Sequence, residues 1–422
     1  MNSPKSIFII SLSLICLLFS SGCDSSKSEM IIESGIHEPL NAVSCTTAEM
    51  IANSIMSDDA IIPTRSEGYK VKDYFSIPAE DGSDLIHVFN YEGGGFVLIA
   101  GDNRLEPVLA YSASNAFNSQ IIEDVSGLKY WIDCIDSKIA YCKKNNISQE
   151  ETIKAMWDSN MGIVLTRSLD PESGVDPECD TIVGPLVIDS WHQYADYNQN
   201  LTDAIHVNLF TNSTFLHKPV IGCVPLSIAR ILHYWSTPSN YPWSSMSNTT
   251  PDQYNKALLN DVHYYVKFYA EANGYSFGYT YNPNASGVYQ YATGVDTSFP
   301  IDLFLTELYG FSSASMINYN STQYSIIRRE IFDYQRPVIL EGRISDSGGG
   351  HAWICDGYRY KFEHWYDSEM NIIGVPSNWM SEKWGLNNSE NDGWYSATYF
   401  QPFNDGVPYN YNMLLTYEIE PY

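Results

Sequence analysis

The stretch Ile221-Gly222-Cys223-Val224-Pro225-Leu226-Ser227-Ile228-Ala229-Arg230-Ile231-Leu232-His233-Tyr234-Trp235 is the most informative in this chain. Val224, Ile228, Ile231, Leu232 and Trp235 recur at helical spacing. Pro225 suits a first turn, where its missing N–H would have no partner. The helix so predicted opens at Cys223, directly after a glycine that permits close approach. A thiol at that place meets unpaired N–H groups, which favour the thiolate that attacks a carbonyl carbon. Taken alone, Cys223 reads first as a small buried residue at a helix end, the commoner case for a single Cys.

Downstream the pattern becomes extended. Arg336-Pro337 precedes Val338 to Glu341, then comes His351 to Asp356 behind Gly348-Gly349-Gly350, then segments near Trp384 and Tyr395. A His at the mouth of a strand, beside a glycine loop, can reach an acceptor on another element; alone it reads as a turn cap. A second helix is predicted from Thr250-Pro251-Asp252-Gln253, read as a capping box with Pro at the first helical position, to Asn273-Gly274. Helices first and strands second predict that residues 181–422 form an α+β domain whose helical and antiparallel β halves meet at a cleft. Strand alternation points His351 and Asp356 to opposite faces, which argues against a His–Asp pair. No metal-binding spacing occurs, so neither a metal nor another cofactor is implied.

Upstream, residues 37–160 read as a small α+β unit. Thr46 to Glu49 looks like a capping box that starts a helix. His87 to Tyr91 and Phe96 to Ala100 form a hairpin across Gly93-Gly94-Gly95, and Pro107 to Tyr111 is a further strand. Leu128 to Lys143 is amphipathic at helical spacing, and Ser148 with Glu151 suggests another capping box. Residues 161–180, polar and punctuated at Pro171 and Gly174, read as a linker and the expected processing site. Lys5, the apolar run Ile7 to Phe19 and Ser20-Ser21-Gly22-Cys23 describe a lipoprotein signal peptide over 1–22. Lipidation is then expected at Cys23, with a tether over 23–36. The chain would be exported, and lipid-anchored to a bacterial membrane or secreted after processing. An ordinary cleaved signal with an incidental Cys is the alternative.

Composition narrows the partners. With 50 acidic against 23 basic side chains, the formal charge of −27 repels phosphate backbones and argues against nucleic acid. Hydrophobic residues make up 44%, enough for a folded protein rather than a disordered one. The 32 Tyr and 10 Trp read first as core and sheet residues, second as a sugar- or peptide-binding surface.

Gly222-Cys223-Val224 leading to Leu232-His233-Tyr234-Trp235, then Gly350-His351-Ala352-Trp353 and Asp356-Gly357-Tyr358, resemble the streptopain family of papain-like cysteine peptidases. So do Ser190-Trp191-His192-Gln193 upstream, and Arg336-Pro337-Val338 with Glu341-Gly342. Gly95-Phe96-Val97, Gly101-Asp102-Asn103-Arg104 and Pro107 to Ser112 resemble that family's pro-domain. The resemblance implies a papain-like catalytic domain over 181–422 behind an inhibitory pro-domain over 37–160. It implies cleavage of protein or peptide substrates through a thioester, with the pro-domain as intramolecular inhibitor. Cys223 would be the nucleophile, His351 the general base and later acid, and Gln193 an oxyanion-hole donor. Trp384 would shield or orient the His. The family's His-orienting Asn falls at Lys383, and Asn378 is the substitute that lies nearby. Lys383 motivates an alternative: a catalytically impaired peptidase-like lipoprotein that binds peptides or glycans.

Overall fold

The structure, a computed structural model, describes residues 40–57, 69–161, 178–283, 290–319, 324–343, 350–366, 372–386, 389–400 and 413–422. The signal peptide, Cys23, the tether and most of the linker lie outside these residues.

The chain begins with helix α1 (Cys45–Met56). Its cap is Ser44, whose hydroxyl accepts from the N–H of Thr47, rather than the expected Thr46. Ser44 stands in extended backbone, so its oxygen can turn back on the first turn; Thr46 is already helical. Strands β1 (Val71–Pro78), β2 (Asp84–Tyr91), β3 (Phe96–Ala100) and β4 (Val108–Ser112) pair in antiparallel succession. The hairpin read across Gly93 to Gly95 is β2–β3. Helices α2 (Ser126–Lys144) and α3 (Glu151–Asn160) follow. No side-chain cap precedes α3, so the capping box expected at Ser148 does not form.

Strand β5 (Cys179–Val183) occupies the end of the segment read as linker. Next come β6 (Ala204–Asn208), β7 (Thr214–His217), α4 (Cys223–Trp235), α5 (Gln253–Ala272), β8 (Phe277–Tyr281) and β9 (Tyr291–Val295). Then follow α6 (Ile301–Leu308), β10 (Phe311–Asn318), α7 (Tyr324–Phe332), β11 (Val338–Arg343), β12 (Gly350–Tyr366), β13 (Ile372–Lys383), β14 (Gly393–Ser396) and β15 (Leu414–Pro421). The architecture is α+β, as expected, but the strict order of helices before strands is not. β6 to β9 form a separate sheet in the order β7-β6-β8-β9, with β6 and β8 parallel. Those strands are four or five residues long, too short for periodicity to announce. The cap of α5 is Asp252, in a capping box with Asn255, which places Pro251 outside the helix.

The larger sheet runs β1-β2-β3-β4-β14-β13-β12-β11-β15-β10. It therefore joins the N-terminal unit to the C-terminal one, through Tyr111 opposite Trp394 and Ala110 opposite Tyr395. β12 is the long axis: β11 pairs with its first half and β5 with its second, both antiparallel. Alternation along β11 and β12 divides the molecule. Leu340, Trp353 and Cys355 join a core shared with α2, β2 and β3, whereas Ile339, Ala352 and Ile354 join the core around α4 and α5.

Candidate active site

Cys223 is the first residue of α4. Gly222 before it has φ +93, and a Cβ there would stand 3.2 Å from the Thr293 side chain and 3.3 Å from Pro225 Cδ. Glycine is thus required twice over, for backbone and for space. The approach to the thiol is clamped from several sides. Thr293 Oγ1 donates to the Val220 carbonyl at 2.6 Å, His263 Nδ1 to the Ile221 carbonyl at 2.8 Å, and Ile221 N–H to the Gln193 carbonyl at 2.8 Å.

β13 joins β12 only from Ile354 onward, which leaves one edge of β12 open at its start. There the Ala352 N–H is directed at the Cys223 sulfur. Burial pushes the thiol up from its ordinary pKa, while the N–H groups of Ala352, Val224 and Cys223 itself pull it down. Burial prevails, so the sequence expectation of a readily ionised thiol does not hold for this conformation.

His351 lines the same cavity as Cys223. Its Nε2 donates to the Trp384 backbone carbonyl at 2.7 Å. A carbonyl can only accept, so Nε2 carries the proton and Nδ1 is the basic nitrogen of the neutral ring. Trp384 is itself fixed: its N–H donates to Asp392 Oδ1 at 2.8 Å and its indole N–H to the Asn391 carbonyl at 3.0 Å. Its ring packs on Trp353, whose centroid is 5.3 Å away, and Trp353 donates to Glu382 Oε2 at 2.9 Å.

Two residues expected near the imidazole lie elsewhere. Asn378 Oδ1 accepts from Tyr358 and Tyr324 at 2.7 and 3.2 Å, and it is paired in register with Tyr360. Nine residues of strand, about 30 Å, separate that register from His351. The carbonyl of Trp384 stands where a side-chain amide was sought. Lys383 Nζ donates to the Asp189 carbonyl at 3.3 Å, and its charge also acts on Asp356 and Asp392. Lys383 therefore serves a buried acidic cluster and is not aimed at the imidazole. Within that cluster, burial raises Asp189, but the Arg230 charge and the bond with His233 outweigh it and hold the carboxyl below its ordinary range. Asp356 accepts from Ser381 Oγ at 2.8 Å and from Val187 N–H at 3.0 Å, which uses both oxygens away from His351. Gln193 is buried, and its side-chain amide donates to Tyr194 Oη at 3.5 Å. No group of His, Cys, Asp and Glu suited to a metal occurs among the described residues.

The Peptidase C10 family matches residues 191–372, which hold both Cys223 and His351. The chain carries a cysteine peptidase domain of the C10 family. The Spi protease inhibitor family matches residues 41–139, the unit that precedes the C10 domain. Among solved structures, the chain is similar to a fragment of prointerpain A from Prevotella intermedia, in a mutant form with one cysteine replaced by alanine. The likeness has a TM-score of 0.53 at 18% identity, and it covers 84% of this chain and all of that one. No curated protein sequence matches.

The Spi-type unit reaches toward His351 through a chain of contacts. Asn391 Oδ1 accepts from the Asn118 N–H at 2.6 Å, and its Nδ2 donates to the Asn118 carbonyl at 3.1 Å. Asn115 Nδ2 donates to the Asp392 carbonyl at 2.9 Å. Asn391 and Asp392 are the residues that hold Trp384, whose carbonyl holds His351. Gly127 of α2 also lies against Trp353, in the core that holds Trp384; a Cβ there would stand 2.5 Å from the indole. Sequence reasoning missed Glu341, Glu382, Asn391 and Asp392 as parts of the site. Polar residues on strands and in turns carry no signal until the fold buries them.

Proposed function

We propose that this C10 peptidase is an exported cysteine endopeptidase, made latent, with Cys223 as nucleophile and His351 as base. The reading rests on one observation: Cys223 and His351 line one cavity while the Trp384 carbonyl fixes His351 Nε2. Nδ1 of His351 takes the thiol proton, and the thiolate attacks the peptide carbonyl carbon. The resulting oxyanion is held by the Cys223 N–H and the Gln193 amide. Collapse expels the amine, which receives the proton back from the imidazolium and leaves a thioester. A water, deprotonated by the same nitrogen, attacks the thioester and returns the thiol and a carboxylic acid.

Latency has a physical basis in the uncut chain. The thiol is held neutral by burial, and the Spi-type unit bears on the Trp384–Trp353 pair at two points, through Asn391 and through Gly127. Cutting within 161–180 would free β4 from β14 and release those contacts. The impaired-peptidase reading loses its motive, because Lys383 is spent on Asp189, Asp356 and Asp392. An epoxysuccinyl probe should label Cys223 in the processed chain, and Cys223→Ala should abolish both labelling and peptide cleavage. Cleavage that survives Cys223→Ala would refute the assignment. Anchoring through Cys23 predicts that Cys23→Ser moves the chain out of the membrane fraction; unchanged fractionation would exclude the anchor.

A further inference from the structure

Among the described residues, Glu341 is the one acidic side chain lining the cavity beside Cys223. It lies on β11, opposite Ala352 on one side and Leu414 on the other, so both flanking strands fix its position. Only 6% of its surface is exposed, and its Oε2 meets no hydrogen-bond donor among the described residues. A buried carboxyl oxygen without a donor is costly. The cavity around it has apolar walls from Val224, Phe277, Val295 and Leu414. Arg343 also lines the cavity; its charge is felt by Asp296, and its buried Nε has no hydrogen-bond partner among the described residues.

We propose that Glu341 is a specificity residue of this peptidase, and that it selects substrates placing a basic side chain, lysine above all, in the cavity beside the thiol. The inference rests on the peptidase reading above. A lysine suits the site at both ends. Its methylene stem can lie along the apolar walls, and its ammonium supplies the donor and the opposite charge that Glu341 lacks. Burial, together with Cys223 and Asp302, raises the Glu341 carboxyl to about 8. The carboxyl then waits mostly neutral at pH 7, and an entering cation favours its ionised form. A norleucine of equal length would fill the walls and leave Oε2 unpaired. A substrate carboxylate would meet a second carboxyl at the cavity floor.

The test uses the processed enzyme and peptides carrying lysine, norleucine, glutamine or glutamate at each of the three positions before the cut bond. At one of these positions lysine should raise kcat/KM about tenfold over norleucine. In Glu341→Gln, which keeps the side chain's size, that ratio should fall toward one. Epoxysuccinyl labelling of both proteins reports an intact thiol independently of specificity. A labelled native enzyme that treats lysine and norleucine alike at all three positions overturns the inference and leaves the peptidase reading standing. A lysine preference that survives unchanged in a labelled Glu341→Gln overturns it too. A native enzyme that neither labels nor cleaves removes the peptidase reading and this inference together.

Discussion

At the scale of single residues, the site is a contest between burial and hydrogen bonding. Cys223 has the position that ionises thiols, at the first residue of a helix with three N–H groups near its sulfur, yet burial keeps its pKa above the ordinary value. Alkylation of Cys223 in the uncut chain, followed in a Cys179→Ser background because Cys179 is exposed, should be slow at neutral pH. Its rate should climb only in alkaline solution, with a midpoint above that of an unperturbed thiol. Rapid alkylation at pH 6 to 7 would contradict the burial argument. The residue types were readable beforehand: a Cys after Gly at a helix start, and a His after three glycines, mark themselves. Lys383 and Asn378 could not be judged in the same way. Strand register, which sequence does not state, sends one into an acidic cluster and the other far down β13.

At the scale of elements, long periodic segments were legible and short ones were not. α2, α4, α5, the β2–β3 hairpin and β11 fall where periodicity and turn residues put them. β5 and the four strands β6 to β9 escaped, because five residues give a period of two little room to repeat. The contact of α2 with β12 depends on one missing side chain. Gly127 lies so close to Trp353 that any Cβ must displace the indole or the helix. Gly127→Val should therefore loosen the docking of the Spi-type unit by about 1–3 kcal/mol. Epoxysuccinyl labelling of uncut Gly127→Val should proceed roughly tenfold faster than in the native uncut chain. Equal rates would mean that this contact contributes nothing to latency.

At the scale of the whole molecule, one antiparallel sheet crosses from the Spi-type unit into the C10 domain, and several carboxyls are enclosed in the cores on either side of it. Burial raises Glu341 to about 8 and Asp392 to about 6, and it raises Glu382 and Asp356 as well. Each folded pKa exceeds its unfolded value. The stability these groups contribute is therefore complete at low pH and is lost as pH rises through the folded values. Burial depresses His87, His192 and His263, so their contribution is complete above the unfolded value of 6.5 and is lost as pH falls below it. Above pH 6.5 only the carboxyl effect remains. The Tm of the uncut chain should fall between pH 6.5 and 8, with Glu341 contributing about 1.4 kcal/mol per pH unit over that window. Glu341→Gln should flatten the decline; a Tm that is level in both proteins would show that Glu341 ionises freely in the folded state.

By itself the sequence pointed to the chemistry: a thiol and an imidazole 128 positions apart, each at the start of an element, and an inhibitor-like unit ahead of them. Local spacing suffices for that, since helix starts, turns and glycine loops are written in a few consecutive residues. Only the tertiary structure decided what surrounds the pair. It put the Trp384 carbonyl behind the imidazole, the Ala352 N–H on the sulfur, and Glu341 in the cavity wall. Those neighbours come from strands whose pairing is fixed by the packing of two cores, and no short stretch of the chain encodes a contact between distant strands.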